Sequence, residues 1–463
     1  MKSGTPSSYL IFAVLVAALS GLLFGYDTGV IAGALLFIRD HFNLDMMTLE
    51  MLVSMVLVGA IMGAWFSGKL ADWFGRRNLL LLCAYIFIVG ALSSGLAYHL
   101  GWLLVGRFLI GIAIGISSYT APLYISEIAP EEHRGKLVIL NIIAITGGMA
   151  LAYAVDYCLS PSAGWRWMLA LGALPAVVLG LGLAFLPESP RWMAWQGFIT
   201  EGKQNLLRLR SSATEAGKEW QAILQSVENE KNHAKRGIIQ WISLFQKPFR
   251  GVFLLGIALA CTQQLCGINA ILYYTPLLLK MVNFHKTSTL LISTFGIGLM
   301  NFLMTWLAFW LADRWGRRPM LMVGLSGSAF CMAMVATLSP MTSLGSFYQY
   351  TLLSFLLLFI ACYAMSIGCL FWLIIAEIYP LAIRNVAMSL TTMANWATNL
   401  LVTANFISLA EKITLGGVFW CFAAFTLVGF LICLRYLPET KEVALETIES
   451  NVLKNVALKN LGG

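Results

Sequence analysis

The stretch Leu70-Ala-Asp72-Trp-Phe-Gly75-Arg76-Arg77 recurs 241 residues later as Leu311-Ala-Asp313-Arg-Trp-Gly316-Arg317-Arg318. Two further matches keep the same order, at offsets of 250 and 251 residues: Glu127-Ile-Ala-Pro130 with Glu377-Ile-Tyr-Pro380, and Pro187-Glu188-Ser with Pro438-Glu439-Thr. Ordered matches at a nearly constant spacing are the signature of an internal duplication. The chain is therefore predicted to fold as two related halves.

Hydrophobic residues make up 59% of the 463 residues, charged residues make up 11%, and the mean hydropathy is +0.79. This composition excludes a soluble globular surface. Apolar runs near the ~20 residues that cross a bilayer core recur along the chain. The first run is too long for the core of a signal peptide, so it is predicted to be retained. The twelve predicted spans are 10–38, 49–68, 79–98, 102–126, 138–158, 168–186, 252–279, 289–311, 320–338, 347–376, 386–410 and 417–434.

The repeated stretches follow the second, fourth and sixth predicted span of each half. We therefore predict an all-α membrane protein in which twelve transmembrane helices form two pseudo-symmetric six-helix bundles, with cytoplasmic linker helices. Parallel repeats of this kind place a substrate site between the halves near the bilayer midplane. The predicted domains are an N-terminal bundle at 1–186, a cytoplasmic helical linker at 187–250, a C-terminal bundle at 251–438 and a cytoplasmic tail at 439–463.

The placement of Lys and Arg predicts the orientation, because cytoplasmic loops of membrane proteins carry the excess of positive charge. Most of these residues fall inside if both termini are cytoplasmic. The net charge of +8 then reflects contact with anionic lipid headgroups, and no nucleic-acid partner is expected. The absence of an N-x-S/T sequon and the short predicted outer loops favour a bacterial inner membrane.

At the predicted inner ends of the spans, both acidic and basic residues recur at matching positions of the two halves. Ion pairs that must separate before the cytoplasmic side opens would act as a gate. The alternative is that each arginine is an ordinary positive-inside charge, but duplication of acidic and basic members together favours the gate. The predicted gate residues are Asp72, Arg76, Arg77, Glu127, Arg134, Asp313, Arg317, Arg318, Glu377 and Arg384.

Asp27 lies in the middle of the first predicted span, where an ionised carboxylate is costly and is a functional candidate by default. Arg107, within the fourth predicted span, is its expected partner. The pair is either a static salt bridge or a proton-coupling site. In the second interpretation, protonation of Asp27 in the outward-facing state releases the pair and lets the two halves move.

The seventh predicted span carries Gln263, Gln264 and Asn269, which a continuous helix would place within about a turn and a half of one another. Amides both donate and accept hydrogen bonds, which suits sugar hydroxyls. A lone amide would more often be an interhelical contact, and a lone Trp a packing or interfacial residue. A mid-span cluster of both types predicts a lined cavity. The cluster also includes Asn301, Trp372, Asn395 and Trp396.

With these residues in view, the chain resembles the sugar porter family of the major facilitator superfamily over nearly its whole length. Its sequence is most similar to those of the bacterial galactose, arabinose and xylose proton symporters. The matching stretches are Gly68–Arg77, Pro122–Glu127 with Arg134-Gly135, Pro187–Trp192, Gln263–Asn269, Asp313–Arg318, Glu377–Arg384 and Pro438–Lys441.

The resemblance implies the major facilitator fold and uptake of a hexose or pentose coupled to an inward proton, with Asp27 and Arg107 at the coupling positions. Met149 takes the place of a fifth-helix glutamine in related carriers. Because methionine cannot supply the amide hydrogen bond, an altered sugar preference or affinity is expected. By the same resemblance the sugar-site residues are Phe24, Gln263, Gln264, Asn269, Tyr273, Asn301, Gly368, Trp372, Asn395 and Trp396.

The leading hypothesis is a proton-coupled monosaccharide symporter that works by alternating access. A facilitative sugar uniporter of the same fold and a transport-dead sugar sensor remain as alternatives. No metal-ligand or catalytic motif occurs, so neither an enzyme, a cofactor nor a metal is expected. The expected partners are a monosaccharide, a proton and the lipid bilayer, and the protein is expected to be a monomer.

Overall fold

A computed structural model of the chain describes residues 7–130, 133–210, 212–233, 244–284, 286–340, 345–380, 383–441, 443 and 445–462. All secondary structure in these ranges is helical, which confirms the predicted all-α class. At a rise of about 1.5 Å per residue, the spans formed by these helices are long enough to cross a bilayer core. In the described residues the twelve spans are Ser8–Phe42, Met46–Phe74, Arg76–Gly95, Leu100–Ile128, Arg134–Leu159, Trp165–Ala184, Arg250–Met281, Thr287–Trp315, Arg317–Leu338, 345–378, Arg384–Thr403 and Phe406–Tyr436.

Eleven spans are apolar enough in composition to cross a membrane, and span 11, Arg384–Thr403, is the exception within the described ranges. Four of its polar residues, Thr391, Asn395, Asn399 and Thr403, are buried. Because these groups face protein rather than lipid, a helix of lower hydropathy is compatible with a place inside the membrane. The chain is a multi-pass membrane protein.

The predicted end of span 11 at residue 410 is wrong, because the helix ends at Thr403 and the next begins at Phe406. Asn405, in a non-helical conformation, separates the two helices. An apolar run continues past this point, so hydropathy alone does not detect the break.

Span 7 consists of two helices, Arg250–Leu265 and Ile268–Met281, rather than the continuous helix expected from the sequence. Gly267 has φ +86°, a conformation that side chains disfavour. A Cβ at this position would also lie 2.3 Å from the ring of Phe422. The glycine therefore allows both the break and the close packing of span 12.

Span 10 is kinked by a π-helical turn at Ala364–Gly368, in which Ser366 has non-helical dihedral angles. The Ser366 hydroxyl donates to the carbonyl oxygen of Cys362 at 2.6 Å. Gly324 of span 9 approaches this turn so closely that a Cβ there would lie 2.1 Å from Ser366 Oγ. Turns of this type occur frequently at functional sites.

The described residues fall into two compact units. The first unit draws on Met1–Asp27, Val58–Met149 and Arg166–Gly237. The second draws on Thr28–Leu57, Ala150–Trp165 and Ile238–Gly463. The second unit thus combines the C-terminal half with the parts of spans 1, 2 and 5 that are predicted to lie towards the outside.

The linker contains the helices Pro190–Gln196, Ile199–Leu209 and Ala213–His233, in agreement with its amphipathic sequence. A small apolar core packs around Leu206 and Trp220. Residues 211 and 234–243 of the predicted linker lie outside the described residues. The predicted tail forms a helix at Leu445–Leu453, whose Ile448 and Val452 are buried in the second unit.

We predict that Gly267→Ala destabilises the protein, because alanine adds roughly 1–2 kcal/mol of strain at positive φ as well as the clash with Phe422. The measurement is the thermal unfolding temperature in detergent. Gly296→Ala is the matched control, because a Cβ there meets nothing within 4 Å. Equal unfolding temperatures for the two variants would contradict the assigned role of Gly267.

Candidate functional site

Asp27 of span 1 and Arg107 of span 4 form a buried ion pair in the first unit, with exposed fractions of 3% and 1%. Arg107 Nη1 donates to Asp27 Oδ1. The Arg107 Nε atom is buried without a hydrogen-bond partner among the described residues. A buried ion pair gains little net stability, but removal of one partner leaves an uncompensated charge. Neutralising either charge would therefore change the stability of this conformation of the unit strongly.

Close packing of spans 1 and 5 fixes the helix that carries Asp27. A Cβ at Gly25 would lie 1.7 Å from the carbonyl oxygen of Ile145, so only glycine permits this approach. Phe24 is partly buried on span 1, and Met149 is buried on span 5. These two predicted sugar-site residues both belong to the first unit.

Four predicted sugar-site amides form a continuous hydrogen-bonded chain in the second unit. Asn269 Nδ2 donates to Gln264 Oε1 at 2.7 Å, and Gln264 Nε2 donates to Asn395 Oδ1 at 3.0 Å. Asn395 Nδ2 in turn donates to Gln263 Oε1 at 2.7 Å. Gln263 Nε2 ends the chain on the carbonyl oxygen of Ile367 at 3.1 Å. The chain joins both helices of span 7 to spans 10 and 11.

The remaining predicted sugar-site residues also lie in the second unit. The side chains of Tyr273, Asn301 and Trp396 are buried. Trp372 is partly buried, and its ring centroid lies 4.8 Å from that of Phe371. Gly368 ends the π-helical turn of span 10. The structure thus places polar and aromatic side chains around the break in span 7 and the kink in span 10.

Arg76 is the centre of the predicted gate residues in the first unit. Its Nε lies 3.0 Å from Glu127 Oε2, and its Nη1 lies 3.6 Å from Asp72 Oδ1. In the second unit, Arg317 Nη2 lies 3.2 Å from Glu377 Oε1. The ion pairs of Arg76 and Arg317 therefore each connect span ends within one half, and the pair with a glutamate occurs in both halves.

Other predicted gate residues do not form these ion pairs. Arg77 donates from Nε to the carbonyl oxygen of Leu183 at 2.8 Å. Arg318 donates to the carbonyl oxygen of Leu434 at 2.9 Å, so both arginines bind the ends of neighbouring helices. Arg134 is exposed.

Two more predicted gate residues belong to the second half. Arg384 Nε donates to the carbonyl oxygen of Tyr379 at 3.0 Å, which ties the start of span 11 to the end of span 10. The side chain of Asp313 lies outside what the structure describes.

Glu188 and Glu439 bind the predicted gate residues, although neither was predicted from the sequence. Glu188 Oε1 accepts hydrogen bonds from the backbone N–H groups of Arg76 and Arg77 at 2.9 and 3.0 Å. Glu439 accepts from the backbone of Arg317 and Arg318 at 3.0 and 3.1 Å. Each glutamate therefore caps the N-terminus of a span. The duplicated Pro-Glu stretches contained this signal.

The residue after each capping glutamate joins it to the ion pairs. The Ser189 hydroxyl donates to Glu127 Oε2, and the Thr440 hydroxyl donates to Glu377 Oε2 at 2.5 Å. Burial raises the pKa of the Glu188 carboxyl above its usual value, although the backbone donors oppose this.

Asp156 is a second carboxyl that lies within a span, and it was not predicted from the sequence. It is fully buried, and its Oδ2 accepts from the backbone N–H of Gly33 at 3.1 Å. Its Oδ1 has no hydrogen-bond partner among the described residues. A Cβ at Gly33 would lie 2.4 Å from Oδ2, so the glycine makes room for the carboxyl. An acidic residue inside a predicted span was the available signal.

Residues 13–452 match a family described as "Sugar (and other) transporter". The chain belongs to this sugar transporter family. Its assignment to a class of transporters rather than enzymes is thereby confirmed.

The galactose-proton symporter of Escherichia coli (strain K12) is 38% identical over 464 residues, which cover 100% of this chain and 98% of the relative. The arabinose-proton symporter of the same strain is 37% identical over 459 residues, which cover 98% of this chain and 95% of that protein.

Solved structures of the xylose transporter XylE from E. coli are similar over almost the whole chain. A partially occluded inward open conformation gives a TM-score of 0.81 at 30% identity, and it covers 95% of this chain and 100% of that one. The same transporter, described as a major facilitator superfamily proton:xylose symporter bound to 6-bromo-6-deoxy-D-glucose, gives a TM-score of 0.79 at 30% identity and covers 98% of both chains. The predicted major facilitator fold is confirmed.

We predict that Glu188→Ala lowers the stability of the protein by about 1–3 kcal/mol, because two partly buried backbone donors lose their acceptor. Thermal unfolding in detergent measures the effect. Glu201→Ala, which removes an exposed linker carboxylate, is the control and should unfold near the wild-type temperature. An unchanged unfolding temperature for Glu188→Ala would show that the cap does not contribute.

Proposed function

We propose that the protein is a proton-coupled monosaccharide symporter that takes up a hexose or pentose by alternating access. We further propose a bacterial inner membrane location, cytoplasmic termini and a monomeric state. Membership of the sugar transporter family supports this proposal, as do relatives named for proton-coupled transport of galactose, arabinose and xylose.

The Asp27–Arg107 pair is the observation that carries the coupling proposal. Both side chains are almost fully buried, so the energy of the ionised pair depends on the geometry between them. An acidic exterior protonates Asp27 when water reaches it, and the neutral acid no longer holds Arg107. Return of the proton to the inside restores the pair. Movement of the halves is thereby linked to movement of a proton.

The amide chain around Gln264 supports the sugar proposal. Gln263, Gln264 and Asn395 each both donate and accept within the chain, and Asn269 donates to it. A sugar hydroxyl, which also donates and accepts, can therefore replace an internal hydrogen bond without leaving a buried polar group unpaired. Aromatic neighbours such as Trp372 and Trp396 offer apolar faces for the sugar ring. The Met149 thioether cannot supply the amide donor of related carriers, which favours sugars that do not require it.

For the transport cycle we propose movement of the halves 1–186 and 251–438 around this site, with the linker at 187–250 and the tail at 439–463 on the cytoplasmic side. The ion pairs of Arg76 and Arg317 each lie within one half. We propose that they hold the inner span ends of each half in the arrangement that closes the cytoplasmic side.

Asp27→Asn tests the coupling. The amide keeps the shape of the side chain but cannot take up a proton, so we expect loss of uphill sugar accumulation driven by an acidic exterior. Exchange of labelled for unlabelled sugar across proteoliposomes should persist. Asp45→Asn, at an exposed carboxyl in the first outer loop, is the control and should accumulate sugar normally. Uphill accumulation by Asp27→Asn would refute the coupling role, and the absence of any pH-driven accumulation in the wild type would favour a uniporter.

Gln264→Ala tests the sugar site. We expect the half-saturation concentration for sugar exchange to rise roughly tenfold or more, because buried partners on the amide chain lose a hydrogen bond. Gln221→Ala removes an exposed amide of the linker and should leave this concentration unchanged. Equal half-saturation values for both variants, measured with a panel of monosaccharides, would place the sugar elsewhere.

A further inference from the structure

Glu50 of span 2 makes a buried contact with the start of span 12, 357 residues further along the chain. Its Oε1 accepts the backbone N–H groups of Ile407 at 2.6 Å and Ser408 at 3.0 Å. Its Oε2 accepts the hydroxyl of Ser408. Only 2% of Glu50 is exposed. All of these residues belong to the second unit.

The contact supplies the missing cap of span 12. The first segment of span 12 begins at Phe406 and ends before the non-helical Thr414, and the side chain of the preceding Asn405 makes no capping hydrogen bond. The first turn of a helix leaves N–H groups without partners, and its positive end favours an anion. The carboxylate of Glu50 meets both needs from another span.

Stacked aromatic rings beside the contact help to exclude water from it. The ring of Tyr274 stacks on Phe406 with centroids 5.6 Å apart, and Phe406 stacks on Phe422 at 6.1 Å. The hydroxyl of Tyr274 donates to the carbonyl oxygen of Thr403 at 3.1 Å. Hydrogen bonds to a carboxylate are strongest where water is excluded.

A second hydrogen bond joins the same ends of the halves. The hydroxyl of Tyr153, on span 5, donates to the carbonyl oxygen of Leu272, on span 7, at 2.8 Å. Spans 2 and 5 belong to the first half of the sequence, and spans 7 and 12 belong to the second. By the positive-inside rule these ends are the outer ones. The described ion pairs at the inner ends, in contrast, stay within one half.

We propose that Glu50 and the N-terminus of span 12 form the outer gate of the transporter. When the outer side closes, the carboxylate caps Ile407 and Ser408; when it opens, both sides of the contact pass to water. The charge of Glu50 thus sets the balance between closed and open outer ends, and its loss favours the open one. This proposal rests on alternating access as proposed above.

Two backbone N–H groups and the hydroxyl of Ser408, rather than a cation, hold the gate. Arg39 and Lys280 line a cleft next to Ile407, but neither forms an ion pair with Glu50 in the described part of the chain. A gate of this type depends on one carboxylate and is little affected by salt, because the contact is buried.

The reactivity of a cysteine placed at the gate tests the proposal without sugar or a proton gradient. Leu277 lines the cleft beside Phe406 and Ile407 and is 5% exposed. Leu277→Cys is combined with Cys158→Ser, because Cys158 is exposed. The rate of labelling by an impermeant maleimide is then measured in vesicles for the wild-type gate, Glu50→Gln, Glu50→Ala and the control Glu411→Gln, which removes an exposed carboxylate of span 12.

We expect Glu50→Ala to be labelled about tenfold faster and Glu50→Gln several-fold faster, since charged hydrogen bonds are roughly twice as strong as neutral ones. Glu411→Gln should match the wild-type gate. Glu50→Gln retains the shape of the side chain, so it decides the question if Glu50→Ala does not fold. Wild-type labelling rates in Glu50→Gln would overturn the gate even if sugar transport is observed. Faster labelling would support the gate even if no monosaccharide is carried.

Discussion

Every backbone N–H group that lies away from water must find an acceptor, and a helix start leaves several without one. This requirement organises the ends of the spans. Glu188 caps the start of span 3, Glu439 caps the start of span 9, and Glu50 caps the start of span 12. In each case the carboxylate comes from another part of the chain, so helix capping is also tertiary packing.

The caps of spans 3 and 9 repeat because the halves are duplicated, and each is hydrogen-bonded to an ion pair through the residue that follows it. Glu127 accepts from Arg76 and Ser189, and Glu377 accepts from Arg317 and Thr440. Such networks hold several span ends as one body, because removal of any member leaves a buried polar group unsatisfied. The cap of span 12 differs, because it joins spans of different halves. In the proposed transport cycle, contacts within a half hold its span ends together, whereas contacts between the halves form and break.

Polar groups inside the spans are arranged by the same requirement. The amides of spans 7 and 11 satisfy one another in a chain, which keeps polar side chains in a membrane-spanning helix that is less apolar than the others. The Asp27–Arg107 pair is satisfied less completely, since Arg107 Nε has no partner in the described chain.

The sequence by itself determined the membrane class, the twelve spans, the duplication and the family. Hydropathy over about 20 residues reports burial in lipid directly, and the repeats are read as identities between Asp72 and Asp313 or between Glu127 and Glu377. It also identified Asp27 and Arg107, because charges inside apolar runs stand out.

Only the tertiary structure decided where the spans break and which residue caps which helix. The break at Gly267 depends on its backbone conformation and on the ring of Phe422, 155 residues away, as their numbers show. The roles of Glu50, Glu188 and Glu439 depend on distant backbone N–H groups, which no local pattern encodes. Hydropathy and motifs report each segment alone, whereas a hydrogen bond between spans is fixed by the packing of the whole fold.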